Sequence, residues 1–230
     1  MPLRFAAAAL ALLALALVAF WPQYLSKPLA TIDVYTHVHA ALGTLWVALL
    51  IVQPLAIRAG ARPLHRRLGR ASFLLGPAFV VSGLLLAHHR FSRMPPAVFA
   101  QEAFTLYLPL MVGALFAAAY ALALAWRRQA VVHARFMACT ALLLIDPVLS
   151  RILGFYAPPL PAWTYQAATF TLTVALMVAL LRTLPPDRSG RPAFRTFVIA
   201  SAAAMLGWFG VPYTEAWLAF ADAFRRMPLT

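Results

Sequence analysis

Six histidines are the side chains of this sequence best suited to chemistry, and four of them come as two close pairs, His37 with His39 and His88 with His89. The other two, His65 and His133, stand among arginines. Neutral imidazole is the usual nitrogen ligand of haem iron, copper and zinc. A regular helix turns His37 and His39 about 200° apart and His88 and His89 about 100° apart, so at most one of each pair can face a common ligand. Asp146 and Arg151 form the other candidate set. Both lie inside an apolar stretch, where an ionisable side chain is costly and needs a partner. Five residues turn them about 140° apart, which strains a direct pair on one helix. Pro147 frees a carbonyl one turn earlier, so a kink there would bring them closer. Otherwise Asp146 accepts hydrogen bonds from a neighbouring helix while Arg151 reaches outward or neutralises an anion such as a haem propionate.

The elements that must hold these groups are membrane-spanning. The chain is 63% hydrophobic and 11% charged, against roughly 45–50% and 25% in soluble domains. Spans are expected at 5–21, 38–57, 71–88, 103–126, 136–155, 163–181 and 197–211, each about the length that crosses a bilayer, the last one short. This is an all-α polytopic transmembrane bundle of about seven spans in one membrane domain covering 1–230. The first run is too long for a signal core, and Phe20-Trp21-Pro22 offers no small-residue cleavage site, so it reads as an uncleaved span. Residues 214–226 add an amphipathic helix at the interface, with Thr214 as cap, Glu215 in the first turn and Trp217, Phe220, Ala221 and Phe224 on one side.

Charge sets the expected direction of every span. With the N-terminus inside, thirteen of the nineteen basic residues fall in inner loops, five outside, and Arg151 within a span. That asymmetry predicts a bacterial inner membrane protein with a cytoplasmic N-terminus and an outer C-terminus. The net charge of +13 then serves topology and contact with anionic headgroups, and nucleic acid is not an expected partner. His37, His39, His88 and His89 come to the outer ends of spans two and three, which a short loop joins as a hairpin. His39 and His88 each lie roughly 12 Å outward of mid-span, so they can meet.

The inner loops hold Leu64-His65-Arg66-Arg67-Leu68-Gly69-Arg70, expected as a tight turn in which Gly69 permits a left-handed conformation and the arginines meet lipid phosphates. Gln53-Pro54 marks a second polar kink. Tyr107, Tyr120, Gln166, Thr169, Thr171 and Thr173 add hydrogen-bonding capacity to spans four and six. Three segments together, His39 with Gln53-Pro54, the Leu64 to Arg70 run, and His133-Ala134-Arg135-Phe136-Met137 with Arg151, resemble the bacterial integral membrane family known as DUF2306. The likeness covers about Val38 to Arg151; Phe136 stands where it implies tryptophan, and His37, His88 and His89 lie outside its pattern. It implies a helical membrane fold, puts emphasis on His39, Gln53, His65, Arg67, Arg70, His133 and Arg151, and implies no activity. Paired histidines at helix ends are also similar to those of b561-type cytochromes.

The leading expectation is a redox or metal-handling protein that binds b-type haem or a transition-metal ion between spans two and three. His39 and His88 would be ligands, His37, His89 and Glu102 alternates, and Arg151 or Arg90 charge partners. The alternatives are a transporter or channel-like protein using Asp146, Arg151, Gln53 and span six, or a non-catalytic subunit or assembly factor with a membrane partner or a second copy of itself. Lone Cys139 excludes an intrachain disulfide and any CxxC motif. The scattered methionines read as packing residues. No nucleophile-base-acid set, nucleotide loop or HExxH motif occurs, so hydrolysis and phosphoryl transfer are not expected.

Overall fold

The computed structural model describes residues 2–157 and 159–230. Among them are ten α-helices and no strand: α1 Pro2–Phe20, α2 Val34–Arg58, α3 Arg62–Ser92, α4 Pro96–Glu102, α5 Tyr107–Ala125, α6 Ala130–Leu142, α7 Ile145–Tyr156, α8 Ala162–Arg182, α9 Arg191–Gly207 and α10 Glu215–Arg225. Seven stretches are long and apolar enough to cross a membrane. The fourth joins α4 to α5 through a 3-10 turn, Ala103–Leu106, and the fifth is α6 with α7. The helices outrun the apolar runs that predict them, because polar residues at headgroup depth still propagate a backbone that must satisfy its own hydrogen bonds.

Caps and prolines set the ends. Asp33 starts α2 by accepting the Thr36 amide at 2.9 Å and the Thr36 hydroxyl at 2.8 Å. Residues Leu64 to Arg70 correct the expected turn: they are the opening turns of α3, which begins at Arg62 with Pro63 in its first turn, a position proline favours. The reversal comes earlier, at residues 59–61, where Gly60 rather than Gly69 takes the left-handed conformation with φ 71°.

Span five breaks at Leu143-Leu144. Pro147 has no N–H for the Leu143 carbonyl and its ring crowds that turn, so the helix stops and restarts. The break divides the span's neighbours: α6 packs mainly on α5, whereas α7 lies against α1 and α8. The remaining order of contact is α1 on α2, α2 on α3, α3 on α5, and α8 on α9.

At the centre, Trp46 meets Phe116 at 4.9 Å and Tyr120 at 5.1 Å between ring centroids, and Phe79 meets Phe116 at 5.2 Å, all edge to face, the favoured geometry for such rings. Their polar handles are satisfied, Trp46 by donating to Thr140 Oγ1 at 3.3 Å and Tyr120 by bonding Ser72 Oγ at 2.9 Å. Gly76 makes room, since a Cβ there would stand 2.7 Å from Tyr120 Cε1.

Candidate functional site

His37, His39, His88 and His89 each meet a different neighbour. His37 bonds the Tyr24 hydroxyl through Nδ1 at 2.9 Å and the Leu29 carbonyl through Nε2 at 3.1 Å. His39 stacks on Phe79 at 4.8 Å and reaches Ser82 Oγ through Nδ1 at 2.9 Å. Ser82 donates its one proton to the Phe79 carbonyl at 2.8 Å, so in this pair His39 Nδ1 is the donor and Nε2 carries the lone pair. His88, 1% exposed, bonds Thr230 Oγ1 at 2.8 Å and lies edge-on to Phe224 of α10. His89 turns back to α2, with its ring 4.5 Å from that of Tyr35 and Nε2 3.9 Å from Asp33 Oδ1.

These positions do not bring His39 and His88 together. Ser82, opposite His39, lies six residues before His88, which is about 9 Å along α3 and on another face of it. His89 does share the α2 face, but about 10 Å beyond Ser82. Glu102 ends α4, where its carbonyl accepts from Thr105 Oγ1 at 2.8 Å. Among the described residues no three His, Cys, Asp or Glu side chains converge as a metal would require, and the imidazoles of His37, His39, His88 and His89 each have separate partners. Arg90, exposed, lies over Phe91 at 5.7 Å.

At the arginine-rich end, Gln53 of α2 faces Gly69 of α3. The Gln53 amide nitrogen lies 3.9 Å from where a Gly69 Cβ would be, one turn from His65. Gln53 Oε1 and His65 Nδ1 are buried without hydrogen-bond partners. His133 bonds the Ala123 carbonyl through Nδ1 at 2.8 Å and is near enough to His65 for their charges to interact. Arg66, Arg67 and Arg70 are exposed. Arg135, expected as a topology signal, is instead buried and closes the C-terminal end of α8, donating to Leu180 O at 3.0 Å and Thr183 O at 2.8 Å. Arg191 does the same for Leu181 and Leu184. A cation at a helix C-terminus suits the exposed carbonyls and the dipole. No sequence spacing marks these two, because each caps a helix other than its own.

The broken span brings a third set together. Asp146, 3% exposed, sits in the first turn of α7 and accepts a 2.6 Å hydrogen bond from Thr169 Oγ1 of α8, with the Gln166 amide as a second partner. Arg151 does not pair with it: Nη1 donates to the Pro147 carbonyl at 2.7 Å, and the guanidinium carbon lies 4.8 Å from the Phe20 ring centre. None of the ion pairs among the described residues includes Asp146. Thr173 is also buried on this side of α8, whereas Thr171 is exposed.

The amphipathic helix packs over His88. Thr214 caps α10 by accepting the Trp217 amide at 3.2 Å, as expected, and Trp217 Nε1 donates to the Ala103 carbonyl at 3.1 Å. Arg225 lies 4.2 Å over Phe99 and bonds Asp222, and with Arg226 it holds that carboxyl below the ordinary carboxylate range.

Compared with family models, curated proteins and solved structures, the chain matches none, so the likeness to DUF2306 stands on its motif residues alone.

Proposed function

We propose that this is a transport-class protein of a bacterial cytoplasmic membrane in which Asp146 is the ion-binding group, with the arginine-rich end facing the cytoplasm. The observation that carries the reading is the setting of Asp146. The carboxyl lies at the break of the fifth span, almost fully buried and partnered by Thr169 and Gln166, while the arginine of the same helix bonds backbone instead. A structural ion pair would have used that arginine. An ion-exchanging carboxyl needs neutral partners that tolerate both its empty and occupied states, and a hydroxyl and an amide supply them. The break supports the same reading, since irregular backbone at membrane depth persists where it lines a polar site. The orientation rests on the distribution of Lys and Arg.

The test is ion flux into proteoliposomes loaded with a pH-sensitive dye, under an imposed potential and with the external cation varied. Wild-type protein carries a proton or alkali-cation flux, and Asp146→Asn lowers it at least tenfold at equal incorporation. Equal flux from both proteins would remove Asp146 from the mechanism.

A further inference from the structure

Arg151 stands within the fifth span, where a charged side chain calls for a counter-charge. The fold supplies none. Among the described residues its guanidinium makes one hydrogen bond, from Nη1 to the Pro147 carbonyl at 2.7 Å, and no ion pair. Asp146 is taken up by Thr169 and Gln166. The neighbouring charge that acts on Arg151 most strongly is a like one, since the repulsion of Arg90 exceeds the attraction of Asp146. His39 also lies within range of the guanidinium, but its Nδ1 serves Ser82 and an imidazole brings no negative charge. An arginine with a purely structural task looks different: Arg135 spends Nε, Nη1 and Nη2 on four oxygen acceptors.

The geometry says what kind of anion would fit. The Phe20 ring, 4.8 Å from the guanidinium carbon, covers one face, and Nη1 is engaged. The side edge remains, Nε with Nη2, two parallel N–H groups that match two oxygens of a carboxylate or a phosphate. Arg151 is half-buried, and neither of these nitrogens is sealed inside the protein. Exposed Arg90, near the end of α3, extends the positive field toward the histidine-rich end, which draws an anion in from that side.

We propose that Arg151, with Arg90 at its approach, binds an oxyanion through Nε and Nη2: the carboxylate of a small acid arriving from the histidine-rich side, or the phosphate of a lipid in the leaflet on that side. The site goes beyond the reading of Asp146 and does not depend on it.

The experiment compares melting temperatures of the detergent-solubilised full chain in sodium acetate and sodium phosphate against sodium chloride at equal ionic strength, and separately with phosphatidylglycerol added to the micelles. An oxyanion raises the melting temperature by several degrees, growing with the logarithm of its concentration as ligand linkage requires. A rise with acetate or phosphate identifies a soluble ligand, and a rise with phosphatidylglycerol alone identifies a lipid headgroup. Arg151→Lys keeps the charge but not the fork and removes the rise. So that the result does not hang on the folding of that variant, phenylglyoxal labelling of Arg151 in the wild-type chain is followed by peptide mass, and the oxyanion that raises melting slows it at least threefold. Equal melting in every condition, a rise that outlasts Arg151→Lys, or a rise without protection of Arg151 overturns the site.

Discussion

Asp33 does two tasks at one helix end, capping α2 through Thr36 and standing 3.9 Å from His89 of α3. Burial alone would raise its pKa, but the Thr36 hydrogen bonds and the charge of His89 outweigh that and hold the carboxyl below its ordinary value. A depressed carboxyl contributes stability that is complete above its unfolded pKa of about 3.9 and disappears as pH falls through the lower folded value. Thermal melting of wild-type protein should therefore weaken below about pH 4. Asp33→Asn keeps the cap but loses this part of the acid dependence, and Asp33→Ala loses the cap as well, at about 1 kcal/mol. An unchanged acid limb in Asp33→Asn would place the effect elsewhere. At this scale the sequence is informative about residue type and depth, and silent about facing. His39 and His88 were placed at matching depth, but Phe79 and Ser82 hold one ring while Phe224 and Thr230 hold the other. Partners 43 and 142 residues away leave no local trace.

Among elements, spans were legible because a run of about 20 apolar residues has few alternatives, and Thr214 was legible as a cap because its pattern is local. Gly69 was misread for the same reason that loops are hard: arginines suggested a loop, whereas Pro63 begins a helix through them. The consequence of Pro147 was half legible, since the kink and a hydrogen bond from a neighbouring helix to Asp146 were both foreseen, but not that the helix would be α8. Glycine at α3 is a packing device whose partner lies 44 residues on. Gly76→Ala should lower stability by about 1–3 kcal/mol, read as thermal unfolding in detergent, because Tyr120 is held by Trp46 and Ser72 and cannot withdraw. A melting temperature equal to wild type would mean that α3 and α5 separate freely.

For the whole molecule, the seven membrane-length helices leave one charge-rich end and one histidine-rich end on opposite sides. In a Cys139→Ala background, Arg226→Cys should react with an impermeant maleimide on intact cells, and Arg66→Cys only after permeabilisation. Both sites are exposed, so the reverse pattern would invert the orientation. The broken fifth span also bears on how the chain is first inserted during synthesis. Asp146 and Arg151 each oppose entry into lipid by about 2.5–3.5 kcal/mol near a helix centre, and the side chains that receive Asp146 belong to the sixth span, which emerges later. Span five alone is thus expected to insert poorly and to enter with span six as a hairpin. A chain halted after Tyr156 should leave span five largely outside the bilayer in a glycosylation-reporter assay, and extension through Arg182 should restore it; efficient insertion of the shorter chain would show that the fifth span needs no companion.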